Sequence, residues 1–304
     1  MTITEGRIET IQDYKLRVKK KPEPRSSNLQ LPPFYFNALF IGSTGTGKSY
    51  KLVELLKLYE KYGIYDADGN KMDMRIILVC PTINSGANVV YQSLKIEEED
   101  KILNYDEDLF EEKVNDIIEE QTFLKEHNKF VDAYKKFHRY QDVEIMTDDE
   151  LDLLEKYNGF DEIENLRRKT EKVYFIIFDD MIGTEAFKNK RKSKINNLVI
   201  LCRHHNINML FTTQFIKGIP PLIRSNIRVF VIFKFANSQR VIDSIYPEVS
   251  AIVKEEEFTQ LYEYATNEPH NAFVVIINND IDKKYRIRKN WNYYLKYNYF
   301  HNNF

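Results

Sequence analysis

Two cysteines in the 304 residues, Cys80 and Cys202, lie far apart in apolar surroundings. That leaves no disulfide framework and no Cys/His cluster with zinc-ligand spacing, and it fits a reducing compartment. No apolar run approaches the roughly 18 residues of a membrane span, and no signal peptide opens the chain, so a soluble, intracellular protein is expected. Neither sign of charge prevails: 44 Lys and Arg stand against 46 Asp and Glu. A polyanionic partner would therefore have to be met by a local patch. At 304 residues the chain is long enough for a sizeable core, in one large domain or two small ones.

The strongest signal is Gly42-Ser43-Thr44-Gly45-Thr46-Gly47-Lys48-Ser49-Tyr50, whose first eight residues match the P-loop pattern G-x-x-x-x-G-K-[ST]. Such a loop turns with positive φ and presses backbone N–H groups against phosphate oxygens, which a Cβ would obstruct. Lys48 is expected between the β- and γ-phosphates, and Ser49 is placed to coordinate Mg²⁺. The context agrees. Asn37-Ala38-Leu39-Phe40-Ile41 reads as a buried strand, and Leu52, Leu55, Leu56, Tyr59 and Tyr62 recur on one helical face with Gly63 placed to end the helix.

Ahead of the loop, residues 1 to about 30 read as a mobile basic arm around Lys15-Leu16-Arg17-Val18-Lys19-Lys20-Lys21. Contact with DNA phosphates, contact with an acidic partner and a solvated tail all remain open for it. Beyond the loop, Arg75–Cys80 reads as a second buried strand stopped by Pro81, with Pro81-Thr82 opening a loop on the ligand side of the sheet. Residues about 95–170 then read as a helical insertion. Leu109, Phe110, Val114, Ile117, Ile118, Phe130, Val131, Tyr134 and Phe137 fall near one side of a long amphipathic helix, and Thr147 to Glu150 form a capping box. The acidity between Glu97 and Glu120 suits subunit or capsid contacts better than DNA, and a solvated excursion suits it equally.

Val173–Phe178 followed by Asp179-Asp180 reads as a Walker B strand, apolar where helices cover it and acidic where it emerges beside the P-loop. Asp179 is expected in the Mg²⁺ shell, directly or through water, and Asp180 stands where many P-loop ATPases place a glutamate that polarises the attacking water. A helix through Ile195, Leu198, Val199 and Cys202 leads to Arg203-His204-His205, and Asn208–Thr213 forms a strand ending at Gln214. Gln214 would contact the γ-phosphate or its water. Adjacent histidines on a helix point about 100° apart, which argues against a metal pair. Pro221 opens a short helix, Ile227–Phe233 and Ala272–Asn278 read as strands, and Ser238 lies in another helix. Residues about 283–304 mix Lys283, Lys284, Arg286, Arg288 and Lys289 with Trp291, Tyr293, Tyr294, Tyr297 and Phe300. They suit either a docking surface or a closing hairpin with a packed tail.

The order of these pieces resembles the FtsK/HerA group of DNA-pumping motors, on Cys202-Arg203-His204-His205, Thr213-Gln214, Ile223-Arg224-Ser225-Asn226 and Ser238-Gln239-Arg240. Within that group the Asp179-Asp180 pair and the Cys80-Pro81-Thr82 loop look most like the genome-packaging ATPases of poxviruses, giant DNA viruses and virophages. The resemblance covers residues about 35–90 and 172–290. It implies an α/β P-loop NTPase of the additional-strand type: a mostly parallel central sheet flanked by helices, with the helical insertion. It implies further an ATPase using ATP and Mg²⁺, which would pump double-stranded DNA into a capsid at a viral assembly site in the host cytoplasm, or ride in the virion. Its partners would be DNA, a capsid or portal-vertex protein and copies of itself in a hexameric ring. An arginine from a neighbouring subunit, with Arg203, Arg224 and Arg228 as candidates, would complete each site. A cellular-type DNA-pumping or segregation ATPase, a nucleotide-binding scaffold and a P-loop kinase are the alternative readings.

Overall fold

Five of the apolar runs lie side by side as parallel strands in a computed structural model of the chain. The structure describes residues 23–81, 88–103, 105–181, 184, 187, 193–236 and 238–297. Lys15–Lys21, Thr82 and Phe300 lie outside these residues. In chain order the elements are β1 (Arg25–Ser26), β2 (Asn37–Ile41), α1 (Lys48–Tyr62), β3 (Ile64–Tyr65), β4 (Lys71–Val79), α2 (Asn88–Tyr91), β5 (Lys101–Ile102), α3 (Glu107–Tyr140) and α4 (Asp148–Lys156). They continue with β6 (Lys172–Phe178), α5 (Lys194–Leu201), β7 (Ile207–Thr213), α6 (Pro221–Ser225), β8 (Ile227–Phe233), α7 (Ser238–Val249), α8 (Glu255–Ala265), β9 (Ala272–Ile276), β10 (Ile287–Lys289) and β11 (Tyr293–Tyr294).

Among the described residues the strands form one sheet in the order β1-β3-β4-β6-β7-β2-β8-β9-β10-β11, with β5 added beside β4. The core strands β4, β6, β7, β2 and β8 are parallel, and antiparallel pairs close both ends. β7 therefore stands between the P-loop strand β2 and the Walker B strand β6, which is the additional-strand arrangement.

Side chains alternate across these strands, so each face carries its own core. One face buries Ala38, Phe40, Phe175 and Ile177 under Leu52, Leu55, Leu56 and Tyr59 of α1. The other buries Leu39, Tyr174, Ile176 and Phe211 under α5, α8 and the first half of α3, which contributes Phe110 and Ile117. The second half of α3 packs on α4 in a separate cluster of Phe130, Ala133, Met146 and Leu154.

Two expectations need correction. Leu109 does not share the buried stripe of α3; it is 58% exposed, one residue before Phe110, which is fully buried. Arg25 and Ser26, assigned to a mobile arm, pair with β3, and Ser27 Oγ donates to the Tyr62 carbonyl at 2.5 Å. Arg288, in the stretch that suited either a docking surface or a closing hairpin, is buried: its guanidinium donates to the carbonyls of Tyr285, Trp291 and Gln30 at 2.6, 3.1 and 2.6 Å. Trp291 is buried beside it and donates to the Lys51 carbonyl at 3.1 Å, so this end of the chain is fastened to α1.

Candidate functional site

β2 ends at Ile41, and the Gly42 N–H donates to the Thr213 carbonyl at 3.1 Å, so the P-loop leaves the sheet tied to the end of β7. The loop turns at Gly45 (φ 78°) and Gly47 (φ 97°), two left-handed positions that glycine adopts without strain. Gly42 is needed for a different reason: a Cβ there would lie 2.7 Å from the Phe233 Cβ and 2.7 Å from Thr46 Oγ1. α1 then starts at Lys48, and its first N–H groups face the loop, the arrangement that receives phosphate oxygens. Lys48 Nζ donates to the carbonyls of Gly42 and Ser43, each at 2.9 Å. Burial lowers its pKa, although the Asp179 and Asp180 carboxylates pull the other way. The Tyr50 ring is 64% exposed, so this residue offers the site its backbone N–H.

β6 delivers Asp179 to the same place. Its carboxylate is buried, with Ser49 Oγ at 3.4 Å from Oδ1 and 3.5 Å from Oδ2. Burial raises the Asp179 pKa and the neighbouring Asp180 adds to the shift, while the hydrogen bond from the Thr212 hydroxyl and the charge of Lys48 oppose it. Asp180, the next residue, is exposed and left-handed (φ 52°), so the chain turns sharply between the two carboxylates. Gln214 follows β7 directly and is exposed beside the P-loop strand.

Sequence reasoning missed three residues here. Thr212 Oγ1 donates to Asp179 Oδ1 at 2.5 Å and accepts from the Asp180 N–H at 3.0 Å. The Tyr91 hydroxyl is buried next to Asp179 and Ser49 without a hydrogen-bond partner. His270 places Nδ1 at 3.4 Å from the Thr46 carbonyl oxygen. Only Thr212 had a local signal, as the first residue of the Thr-Thr-Gln run. The other two meet the site across 42 and 224 residues of sequence, a distance no short motif spans.

The residues present fit a divalent cation. A buried carboxylate without a strong cationic partner, a serine hydroxyl aimed at it and an unpartnered tyrosine hydroxyl beside both form an oxygen set of the kind Mg²⁺ selects. Among the described residues no cluster of three or more His, Cys, Asp or Glu offers another metal site.

The three candidate arginines are elsewhere. Arg203 lies in the turn four residues before β7, while Arg224 and Arg228 lie just before and at the start of β8, so all three stand at the amino-terminal edge of the parallel sheet. Each of those strands has seven residues and spans about 20 Å, and the P-loop is at the other end. Arg203 pairs with Glu23, and Arg224 with Glu248 at 3.0 Å.

Residues 130–291, just over half of the chain, match the family described as Poxvirus A32 protein. The match takes in Asp179, Asp180, Gln214 and the three arginines and leaves out the P-loop. No curated protein sequence matches the chain. Among solved structures, the DNA-packaging ATPase B204 from Sulfolobus turreted icosahedral virus is 14% identical, with 84% of this chain and 96% of that one covered at a TM-score of 0.43. The pCW3 conjugation coupling protein TcpA is 15% identical, with 79% and 57% covered at 0.36. The cytoplasmic domain of the type VII secretion ATPase EccC from Thermomonospora curvata is 12% identical, with 79% and 24% covered at 0.38. At these scores the likenesses add nothing to what the strand order establishes.

Proposed function

Because the chain belongs to the poxvirus A32 protein family, we propose that it is an ATP-hydrolysing motor that moves double-stranded DNA into a viral capsid. The observation that carries the ATPase half is the convergence of Lys48, Ser49 and Asp179 at the carboxyl ends of β2 and β6, with β7 between them. The N–H groups of residues 42–50 cradle the phosphates, and Lys48 exchanges its two carbonyl partners for phosphate oxygens. Ser49 and Asp179 would hold Mg²⁺, which would supply neutralisation of the phosphate charge. Asp180 lies beside Asp179 but exposed, free to accept a proton from an attacking water, and Gln214 orients that water from the next strand. The remaining features of the reading are a ring of copies completed by an arginine in trans, a capsid or portal-vertex partner, and action at the viral assembly site. Among the described residues no helix is long and apolar enough to cross a membrane.

The test is steady-state ATP hydrolysis with and without linear double-stranded DNA at low salt, for the wild type and Lys48→Ala. DNA-stimulated turnover is expected, falling at least about 100-fold in the variant, the scale seen when a group that stabilises transition-state charge is removed. Turnover indifferent to DNA would leave an ATPase and remove the motor. No turnover in either condition, for the wild type as for the variant, would point to a nucleotide-binding scaffold.

A further inference from the structure

The phosphate-binding loop accounts for half of a nucleotide. Asp179 and Ser49 mark the flank of the loop that faces β7 and β6, where the terminal phosphate and the cation belong. The nucleoside must leave over the opposite flank, toward β8 and β9. There the structure has a cleft of about 260 Å³, walled by Gly45 and Thr46 on one side and by Lys234 and the turn 267–271 on the other, with Phe233 at its base. Its size suits a base with its ribose; pockets enclosing a whole drug-sized ligand start at about 300 Å³.

The turn that forms the far wall is held rigidly. Asn271 donates from its N–H to the Glu268 carbonyl at 3.3 Å and from Nδ2 to Glu268 Oε2 at 2.5 Å, and its Oδ1 accepts from Asn290 at 2.8 Å. Lys289 pairs with Glu268 at 3.1 Å. These bonds keep His270 left-handed at φ 63°, a conformation seldom adopted by residues with a Cβ and one that persists only where the surroundings fix it. The result is an exposed imidazole standing over Gly47 and next to the Thr46 carbonyl. The Gly45 side of the loop is open, with no atom within 4 Å of where its Cβ would be.

We propose that this cleft receives the base and ribose of the nucleotide whose phosphates the P-loop holds, and that the His270 ring is the surface on which the base stacks. The proposal rests on the reading of residues 42–50 as an ATP site and assigns it a second wall, 220 residues downstream, from a turn that no nucleotide motif marks. Every base has a π-face, so stacking of this kind gives affinity with little discrimination among bases. Base preference then falls to the polar groups at the rim, Lys234 and Asn267.

The experiment is calorimetric titration of the full chain with ATP and, separately, with inorganic tripolyphosphate, both with Mg²⁺, for the wild type, His270→Ala, His270→Phe and Lys48→Ala. Tripolyphosphate carries the phosphate contacts without the nucleoside. His270→Ala is expected to weaken ATP about tenfold or more, the effect of losing one stacked base, and to leave tripolyphosphate within about twofold. His270→Phe keeps an aromatic face and should recover most of the ATP affinity. Lys48→Ala should weaken both ligands alike. Equal losses for ATP and tripolyphosphate in His270→Ala would make the residue a support of the loop and overturn the proposal, as would no loss at all. A wild type that binds neither ligand would overturn the phosphate reading itself, and the proposal with it.

Discussion

Thr212 fixes the position of two carboxylates at once. Its hydroxyl proton points at Asp179 Oδ1, at 2.5 Å, and its oxygen accepts the N–H of Asp180, at 3.0 Å. Valine has the same shape and neither function, so Thr212→Val removes the hydrogen bond that orients the cation ligand and leaves a backbone donor unpaired. Partners that orient a metal ligand typically contribute 10- to 100-fold to activity. For Thr212→Val, kcat should fall by roughly that factor, while nucleotide affinity measured without magnesium changes by about twofold or less. A variant that keeps wild-type kcat would mean that Asp179 is held by the strand alone.

The insertion is anchored to the sheet by charge as well as by Phe110 and Ile117. Arg75 of β4 donates to Asp100 at 2.8 and 2.9 Å and to Glu120 of α3 at 3.0 Å, while Lys113 reaches Asp100 at 3.0 Å and Lys172 of β6 reaches Glu120 at 2.5 Å. Asp100 and Glu120 are thus neutralised within the chain, and what looked in sequence like a patch for a partner is in part a clamp. Burial alone would raise the Asp100 pKa, but the hydrogen bonds from Arg75 and Lys113 outweigh it and hold the carboxyl below its usual range. A depressed pKa adds stability that is complete above the unfolded value near 4 and is lost as pH falls through the folded value. Asp100→Asn should therefore cost about 2 kcal/mol in urea unfolding at pH 7, the scale of hydrogen bonds to a charged group, and the gap to wild type should close below about pH 4. A constant gap across that range would assign the loss to packing. The comparison also separates what the sequence discloses from what it conceals. Strands of five to nine residues and the helix α1 were legible, because apolar periodicity and caps are local properties. β5, β1 and β3, at two residues each, are too short to carry a period. The destination of Arg288 was concealed because composition cannot distinguish a solvated cation from one caged by three carbonyls.

At the scale of the whole molecule the positions of the three arginines bear on whether a proposed arginine finger could act within its own chain. All three stand about 20 Å from the P-loop of their own chain, along strands that are buried and rigid, so none can reach phosphates bound there. An arginine finger drawn from this set must come from a neighbour, and the contact must be head-to-tail: amino-terminal sheet edge of one copy against the carboxyl edge of the next. Repetition of such a contact closes a ring when the rotation permits. Arg203 is engaged by Glu23 and Arg224 by Glu248, whereas Arg228 is exposed and makes no ion pair among the described residues. If one of the three acts in trans, Arg228 would be recruited without opening an ion pair among the described residues. Arg228→Ala and Lys48→Ala proteins should each hydrolyse little ATP alone, because one lacks the finger and the other the phosphate cradle. In an equal mixture an intact Lys48 meets an intact Arg228 at about a quarter of interfaces, and DNA-stimulated hydrolysis should return to about that share of wild type. The same mixing done with Arg203→Ala and Arg224→Ala separates the candidates. If mixtures containing Arg228→Ala stay inactive while one of the others recovers, the finger is that residue, and its ion pair must open when subunits meet.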